Sequence, residues 1–357
     1  MGPRPSPEED FPVLAHGEGV GDLHSTFVPL FDPADVEASI KAIGGISPDV
    51  EAALKLEDLG RKLFNGLFSG SLLRAFYRAQ GRAESLGRRL RLRLRLDPQA
   101  RLGDLPLQQL PWELLHDGER FLGLQREISI VRHLETERPA GVVPVEGCLR
   151  VLIAAASPQG PRDISEPERE ELRQLYYGVQ PLALRLAVEG LDDPPRTFGE
   201  LEAALAKVRP HVLYFTGHGK PGGLVFEDPG GNADVHSADE VASLLVGQGV
   251  RLVVLNTCHG ANAPTPGRLS VAEALVEAGV PAVVAMQSAI LTGTRWYHPA
   301  VRFAHVFFFQ LALGRPVDAC VTEARIAMAK NWPRLPQWAL PVCFLRTGDG
   351  RLFEVAV

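Results

Sequence analysis

The sequence predicts an α/β fold, a mostly parallel sheet with helices on both faces. Two observations carry that reading. From about residue 149 onward, short and fully apolar runs alternate with longer stretches whose apolar residues recur at helical spacing. Strands apolar on both faces belong in a sheet covered on both sides, and strand–helix alternation makes neighbouring strands parallel. Second, two of these apolar runs stop abruptly in glycine-flanked reactive side chains. Open parallel sheets collect their functional groups beyond the carboxyl ends of the strands.

The elements follow in chain order. Residues 1–48 are expected to be a flexible N-terminal extension, since Pro3, Pro5, Pro7 and Pro12 precede Gly17, Gly19 and Gly21. Within it a helix is expected over 33–43. A first unit spans 49–146. Val50, Ala53, Leu54, Leu56, Leu59, Leu63 and Phe64 recur at helical spacing, and a second helix covers 71–83. Residues 89–96 alternate Arg and Leu strictly, which predicts a half-buried strand with leucines inward and arginines on a solvated face. Nucleic-acid binding by those arginines is disfavoured because no aromatic platform interleaves them. They serve better to blunt an exposed sheet edge. Leu110-Pro111-Trp112-Glu113-Leu114-Leu115 packs a bulky aromatic, and residues 127–133 form a further strand.

A second unit spans 147–357. Strands are expected over 149–155, 182–188, 211–215, 250–255, 281–286 and 341–345, with a hairpin arm at 224–226. Helices are expected over 166–177, 197–207, 237–245, 269–278, 299–313 and 317–330. Ser237 with Glu240 makes a capping box, and Gly279 ends its helix.

Composition narrows the function classes. A chain of 357 residues fits one large or two smaller α/β units. With 45% hydrophobic and 22% charged residues it reads as globular. A net charge of −6 supplies no overall basic field for nucleic acid or an anionic membrane. No apolar run is long enough for membrane insertion, and no basic-then-apolar leader opens the chain, so a cytoplasmic location is expected. The 4 cysteines show no C-x-x-C pairing and no disulfide framework. Cys148, Cys320 and Cys343 sit in or beside apolar runs and read as small buried hydrophobes. Cys258 differs, with Asn256, His259 and Gly260 around it.

The run at 211–215 leads into Thr216-Gly217-His218-Gly219-Lys220, and the run at 250–255 into Asn256-Thr257-Cys258-His259-Gly260-Ala261. One hairpin and one helix separate them, a crossover that usually returns the chain to a neighbouring parallel position. His218 and Cys258 would then share one sheet rim. An imidazole beside a thiol raises its thiolate fraction and later protonates a leaving amine. The N–H groups of Gly219 and Cys258 would stabilise an oxyanion there. The residues alone leave a buried structural pair as the alternative. A zinc site built on His218, Cys258 and His259 is disfavoured because two of the ligands are adjacent in sequence. A phosphate loop is disfavoured because no G-x-x-x-x-G-K-[ST] is present. No cofactor or metal is expected.

These motifs resemble the CHAT domain family, a bacterial branch of the caspase and separase clan. Leu213 to Gly219 resembles its histidine motif and Leu255 to Ala261 its cysteine motif. The likeness extends to the 110–115 run, to Phe121-Leu122-Gly123-Leu124 and to Val283-Val284-Ala285-Met286-Gln287, and covers roughly 49–345. It implies that 49–146 is a degenerate caspase-like half and 147–357 the active peptidase half. It implies peptide-bond cleavage of protein substrates by His218 as base and Cys258 as nucleophile. It also implies an activating protein partner in bacterial defence or regulated cell death, acting in trans or on residues 1–48. Candidate pocket residues are Asn256, Gln287, Thr292 and Ser157. Related proteins that favour Arg or Lys carry an acid after the strand matching 281–286, where this chain has Ser288-Ala289-Ile290-Leu291-Thr292. A pocket that does not demand a basic residue is therefore expected, unless Asp163 or Asp228 reaches in. The rival functions are a catalytically idle scaffold for protein docking and a Cys-dependent transferase or amidase.

Overall fold

The computed structural model describes residues 10–18, 21–43, 50–134, 140–158, 185–257, 270–288 and 299–355. Asp163, Cys258, His259, Thr292 and the helix expected over 166–177 lie outside the described residues.

The chain begins with a hairpin of β1 (Phe11–Gly17) and β2 (Gly21–Phe27), antiparallel with Phe11 opposite Phe27. This corrects the flexible extension expected over 1–48 for this stretch. Phe11, Val13 and Ala15 alternate toward the core, and Phe27 is buried with its ring 5.2 Å from that of Trp112. Proline and glycine enrichment marks turns as well as disorder, so composition alone hid the alternation. The expected helix follows as α1 (Pro33–Ile43), then α2 (Val50–Leu67) and α3 (Gly70–Ser85). The chain after β2 runs against α2, where the Val28 N–H donates to the Gly66 carbonyl at 3.1 Å. A Cβ on Gly66 would stand 2.4 Å from the Val28 oxygen, so only glycine permits that approach.

The Arg/Leu alternation forms β3 (Leu90–Leu94), an edge strand as expected. Its arginine face is only partly solvated, which corrects the sequence expectation for Arg89 and Arg91, both half-buried, while Arg93 and Arg95 are exposed. Arg91 forks onto the buried Asp318 carboxylate at 2.8 and 2.9 Å and also donates to the Gly348 and Asp349 carbonyls. Arg93 donates to the Gly348 carbonyl, and Arg89 to the Ser129 hydroxyl at 3.0 Å. Alternation shows which residues share a face, but the partners of Arg91 and Arg93 come from more than two hundred residues downstream.

The short β4 (Arg101–Leu102) and β5 (Leu105–Pro106) form a hairpin. A tight segment over 107–114 follows, pinned by the Trp112 indole N–H donating to the Leu107 carbonyl at 2.9 Å. Next come β6 (Ile128–Arg132), buried throughout, and β7 (Val143–Val145).

From here the elements lie close to their expected places. They are β8 (Leu149–Ala156), β9 (Leu186–Glu189), α4 (Phe198–Val208), β10 (Val212–Lys220), β11 (Gly223–Glu227), β12 (Ala233–Ser237) and α5 (Ala238–Leu245). They continue with β13 (Leu252–Thr257), α6 (Val271–Glu277), β14 (Ala282–Met286), α7 (Pro299–Ala312), α8 (Val317–Asn331), β15 (Pro341–Leu345) and β16 (Phe353–Val355). The capping box of Ser237 and Glu240 is present, and Thr197 with Glu200 and Ser270 with Glu273 make two more.

Strands β9, β8, β10, β13 and β14 lie side by side and parallel. β15 joins antiparallel to β14, and β6 and β3 extend the same sheet beyond it. The stretches 49–146 and 147–357 thus share one sheet. Alternate residues face two cores. Tyr214, Val254 and Val284 meet Phe303, Phe307 and Phe308 of α7, while Phe215, Leu255 and Ala285 meet Leu205 of α4, Val241 of α5 and Leu275 of α6. Each fully buried Val, Leu or Phe among them contributes about 1.5–3 kcal/mol. Covering both faces leaves the strand ends as the places where polar groups emerge.

Candidate active site

β10 lies between β8 and β13, and its register sets the site. Gly217 is opposite Thr257 on β13 and opposite Ala156 on β8. One residue later β10 leaves both neighbours and pairs with β11 instead, His218 opposite Val225 and Gly219 opposite Leu224. His218 therefore stands where the strand changes partners, and it is exposed. The switch needs Gly217. Its φ is +148°, and a Cβ there would stand 2.4 Å from the Ala156 carbonyl oxygen. An L side chain would meet both strain and a backbone clash.

The residues before the two reactive positions are in register, with Thr216 opposite Asn256 and Gly217 opposite Thr257; Thr216, Asn256 and Thr257 are buried and Gly217 is half-buried. Cys258 itself lies outside the described residues. The chain re-enters at Ser270, fully buried, whose N–H and hydroxyl donate to the Glu273 carboxylate at 2.9 and 2.8 Å. Burial pushes the Glu273 carboxyl up, against the pull of the Ser270 bonds and of Arg132.

The candidate pocket residues take different places. Asn256 is buried at the end of β13. Ser157, half-buried, follows β8, and its N–H donates to the Glu227 carboxylate at 2.8 Å. Gln287 is buried just past β14, with its side-chain amide donating to the Gln109 and Leu110 carbonyls at 3.3 and 3.4 Å. Thr292 is outside the described residues. A cleft of about 550 Å³ opens beside the β8 end, lined by Arg196, Glu200, Glu227 and Asp228 among others. Three of its acids accept backbone N–H groups, Glu200 from Arg196 and Thr197, Glu227 from Ser157, and Asp228 from its own turn. Asp228 accepts from the Gly230 and Asn232 N–H groups, both at 2.8 Å, and the Asn232 amide with these bonds holds its carboxyl below the usual range.

Two of the other thiols are poorly placed for chemistry, while Cys148 is half-buried. Cys320 and Cys343 are fully buried, and burial pushes both thiols up. Among the described residues no group of three His, Cys, Asp or Glu side chains is arranged to hold a metal, and no helix is long and apolar enough to cross a membrane.

One constellation escaped sequence reasoning. Glu113 is wholly buried, 3.1 Å from Arg132 and 3.8 Å from Arg325, and both arginines are buried as well. Arg132 also donates to the Gln108 and Leu110 carbonyls, and Arg325 to the Pro341 carbonyl. The available signal was a single acid inside the apolar run 110–115 and a single base ending the apolar run 128–132.

Comparison with known proteins agrees with this architecture. The CHAT domain model matches residues 57–345. A chain from the complex of the Porphyromonas gingivalis RgpB pro- and mature domains superposes with a TM-score of 0.51 at 14% identity, covering 85% of this chain and 78% of that one. A structure described only as a protease superposes with a TM-score of 0.50 at 11% identity, covering 90% of this chain and 76% of the other. No curated protein matches the chain. The structural likenesses concern the fold, a parallel sheet sandwiched by helices. The family match spans most of the sequence, so the chain belongs to the CHAT domain family.

Proposed function

We propose that the chain is a cysteine endopeptidase acting on protein substrates in the cytoplasm, with His218 as general base and Cys258 as nucleophile. The observation that supports this reading best is the register of β10 and β13, where Gly217 opposite Thr257 brings the residues before His218 and Cys258 level on adjacent parallel strands. Family membership and the protease fold add to it.

The chemistry balances with these groups alone. The Cys258 thiol proton passes to His218, and the sulfur bonds to the scissile carbonyl carbon. The Gly219 and Cys258 N–H groups stabilise the resulting oxyanion. His218 gives its proton to the leaving amine as the C–N bond breaks, which leaves a thioester on Cys258. Water then attacks the thioester, delivering one proton to His218 and returning it to sulfur as the new carboxylic acid departs. Asn256, Ser157 and Thr292 are the proposed pocket residues, in a site that does not demand Arg or Lys. An activating partner protein, in a bacterial defence or cell-death system, would control access.

The test is digestion of a proteome-derived peptide library by the intact chain and by Cys258→Ala, read by mass spectrometry. Products present with the parent chain and absent with the variant are expected. Iodoacetamide is also expected to label Cys258 faster than Cys148, Cys320 and Cys343. Identical digests together with slow labelling of all four thiols would assign the chain to a protein-docking scaffold instead. Transfer to an amine in place of hydrolysis would mark a transferase.

A further inference from the structure

The first residue past β14 is held from outside its own stretch of chain. Gln287 donates its N–H to the Leu340 carbonyl at 3.0 Å and its amide to the Gln109 and Leu110 carbonyls. Leu110 also accepts from Arg132 at 3.2 Å, and Arg132 pairs with Glu113. Arg325 approaches Glu113 from the other side and donates to Pro341, the residue opposite Met286. The Gln287, Arg132, Glu113 and Arg325 side chains are each buried to at least nine-tenths. β14 is the immediate neighbour of β13, the strand that delivers Cys258. The re-entry point of the Cys258-bearing segment is tied to the same charges, since Glu273 caps Ser270 and senses Arg132 electrostatically.

We propose that Gln287 is a positioning residue, whose amide clamps the end of β14 to the 107–114 segment and thereby fixes the sheet rim at which β13 ends, one residue before Cys258. This rests on the reading of Cys258 as nucleophile. The amide does not line an open pocket, because two carbonyls of a distant segment occupy it. Buried donors and acceptors of this kind are costly to leave unmade, so the segment and the strand end move together. Displacements near 1 Å at a reacting group are enough to slow chemistry steeply.

The experiment measures the rate of iodoacetamide alkylation of each cysteine in the intact chain. Gln287→Met keeps the volume and removes the two donors. It is expected to slow Cys258 labelling by about tenfold, with Cys148 labelling and the unfolding midpoint little changed. Gln287→His, whose ring N–H can reach the same carbonyls, is expected to recover a large part of the lost rate. Should Gln287→Met fail to fold, Gln287→Asn carries the test, because its amide falls one methylene short and the same slowing is expected. A folded variant lacking the clamp that labels at the parental rate overturns the proposal alone. A parental chain whose Cys258 labels no faster than Cys148 overturns the nucleophile reading, and this proposal with it.

Discussion

A histidine stands just beyond each end of the parallel pairing of β10, which spans Val212 to Gly217, and the two are opposite in their physics. His211 immediately precedes the strand. Its Nδ1 accepts the Arg150 N–H at 3.0 Å, its ring lies 6.0 Å from that of Phe353, and Arg150 and Arg251 flank it. Burial first, and then the two arginines, lower its pKa to about 4. His218 stands at the far end, exposed, between two glycines and beside the exit of β13. The first histidine is spent on architecture and the second is left available. Residue type therefore says little here, and position along the strand says most. At the amino end of a parallel strand a polar ring is absorbed by the turns packed around it. At the carboxyl end it emerges at the rim where open parallel sheets gather their functional groups.

The largest expected effect sharpens this contrast. His218→Ala should lower peptidase turnover by about a thousandfold or more, by analogy with loss of a catalytic base, while an exposed position keeps the stability change within about 0.5 kcal/mol. A variant that loses stability but keeps turnover would reverse the roles assigned to the two ends. Next comes Gly217→Ala, which places a Cβ against the Ala156 carbonyl and should cost about 2–3 kcal/mol, read by urea unfolding. Because the clash sits next to His218, activity should fall as well. Unchanged activity would mean the strand switch at Gly217 does not set the histidine. The smallest effect belongs to His211. Its folded pKa lies below the unfolded value near 6.5, so the unfolded chain binds the extra proton between the two. Stability contributed by neutral His211 is present above about 6.5 and is lost as pH falls toward about 4. His211→Gln should flatten the rise of the thermal midpoint across that window and leave Cys258 labelling alone. A slope identical to the parent would show that other groups carry it.

What the sequence discloses and what it withholds follow one physical rule. β8, β10, β13, β14 and β15 are apolar on both faces, and such runs announce buried parallel strands without help from distant residues. The capping box at Ser237 is equally local. Glycine on either side of His218 reads as a strand end in the sequence, whereas β10 changes partners at His218 and runs on to Lys220. The rest depends on partners far along the chain. Arg91 looked solvated because Asp318 is invisible from its neighbours. Gln287 read as pocket lining because nothing nearby reveals Leu110. The β1–β2 hairpin was masked by turn residues that also mark flexible leaders. Local periodicity fixes faces, while only tertiary packing decides what lies against them.

The clasp of β3 by residues 347–349 has a consequence for synthesis. Arg91 and Arg93 find their carbonyl partners only when a stretch more than 250 positions later has left the ribosome. β6 likewise waits for β15. A nascent chain halted before that stretch carries both strands without their clasp, and a prematurely ended product would be an aggregation hazard.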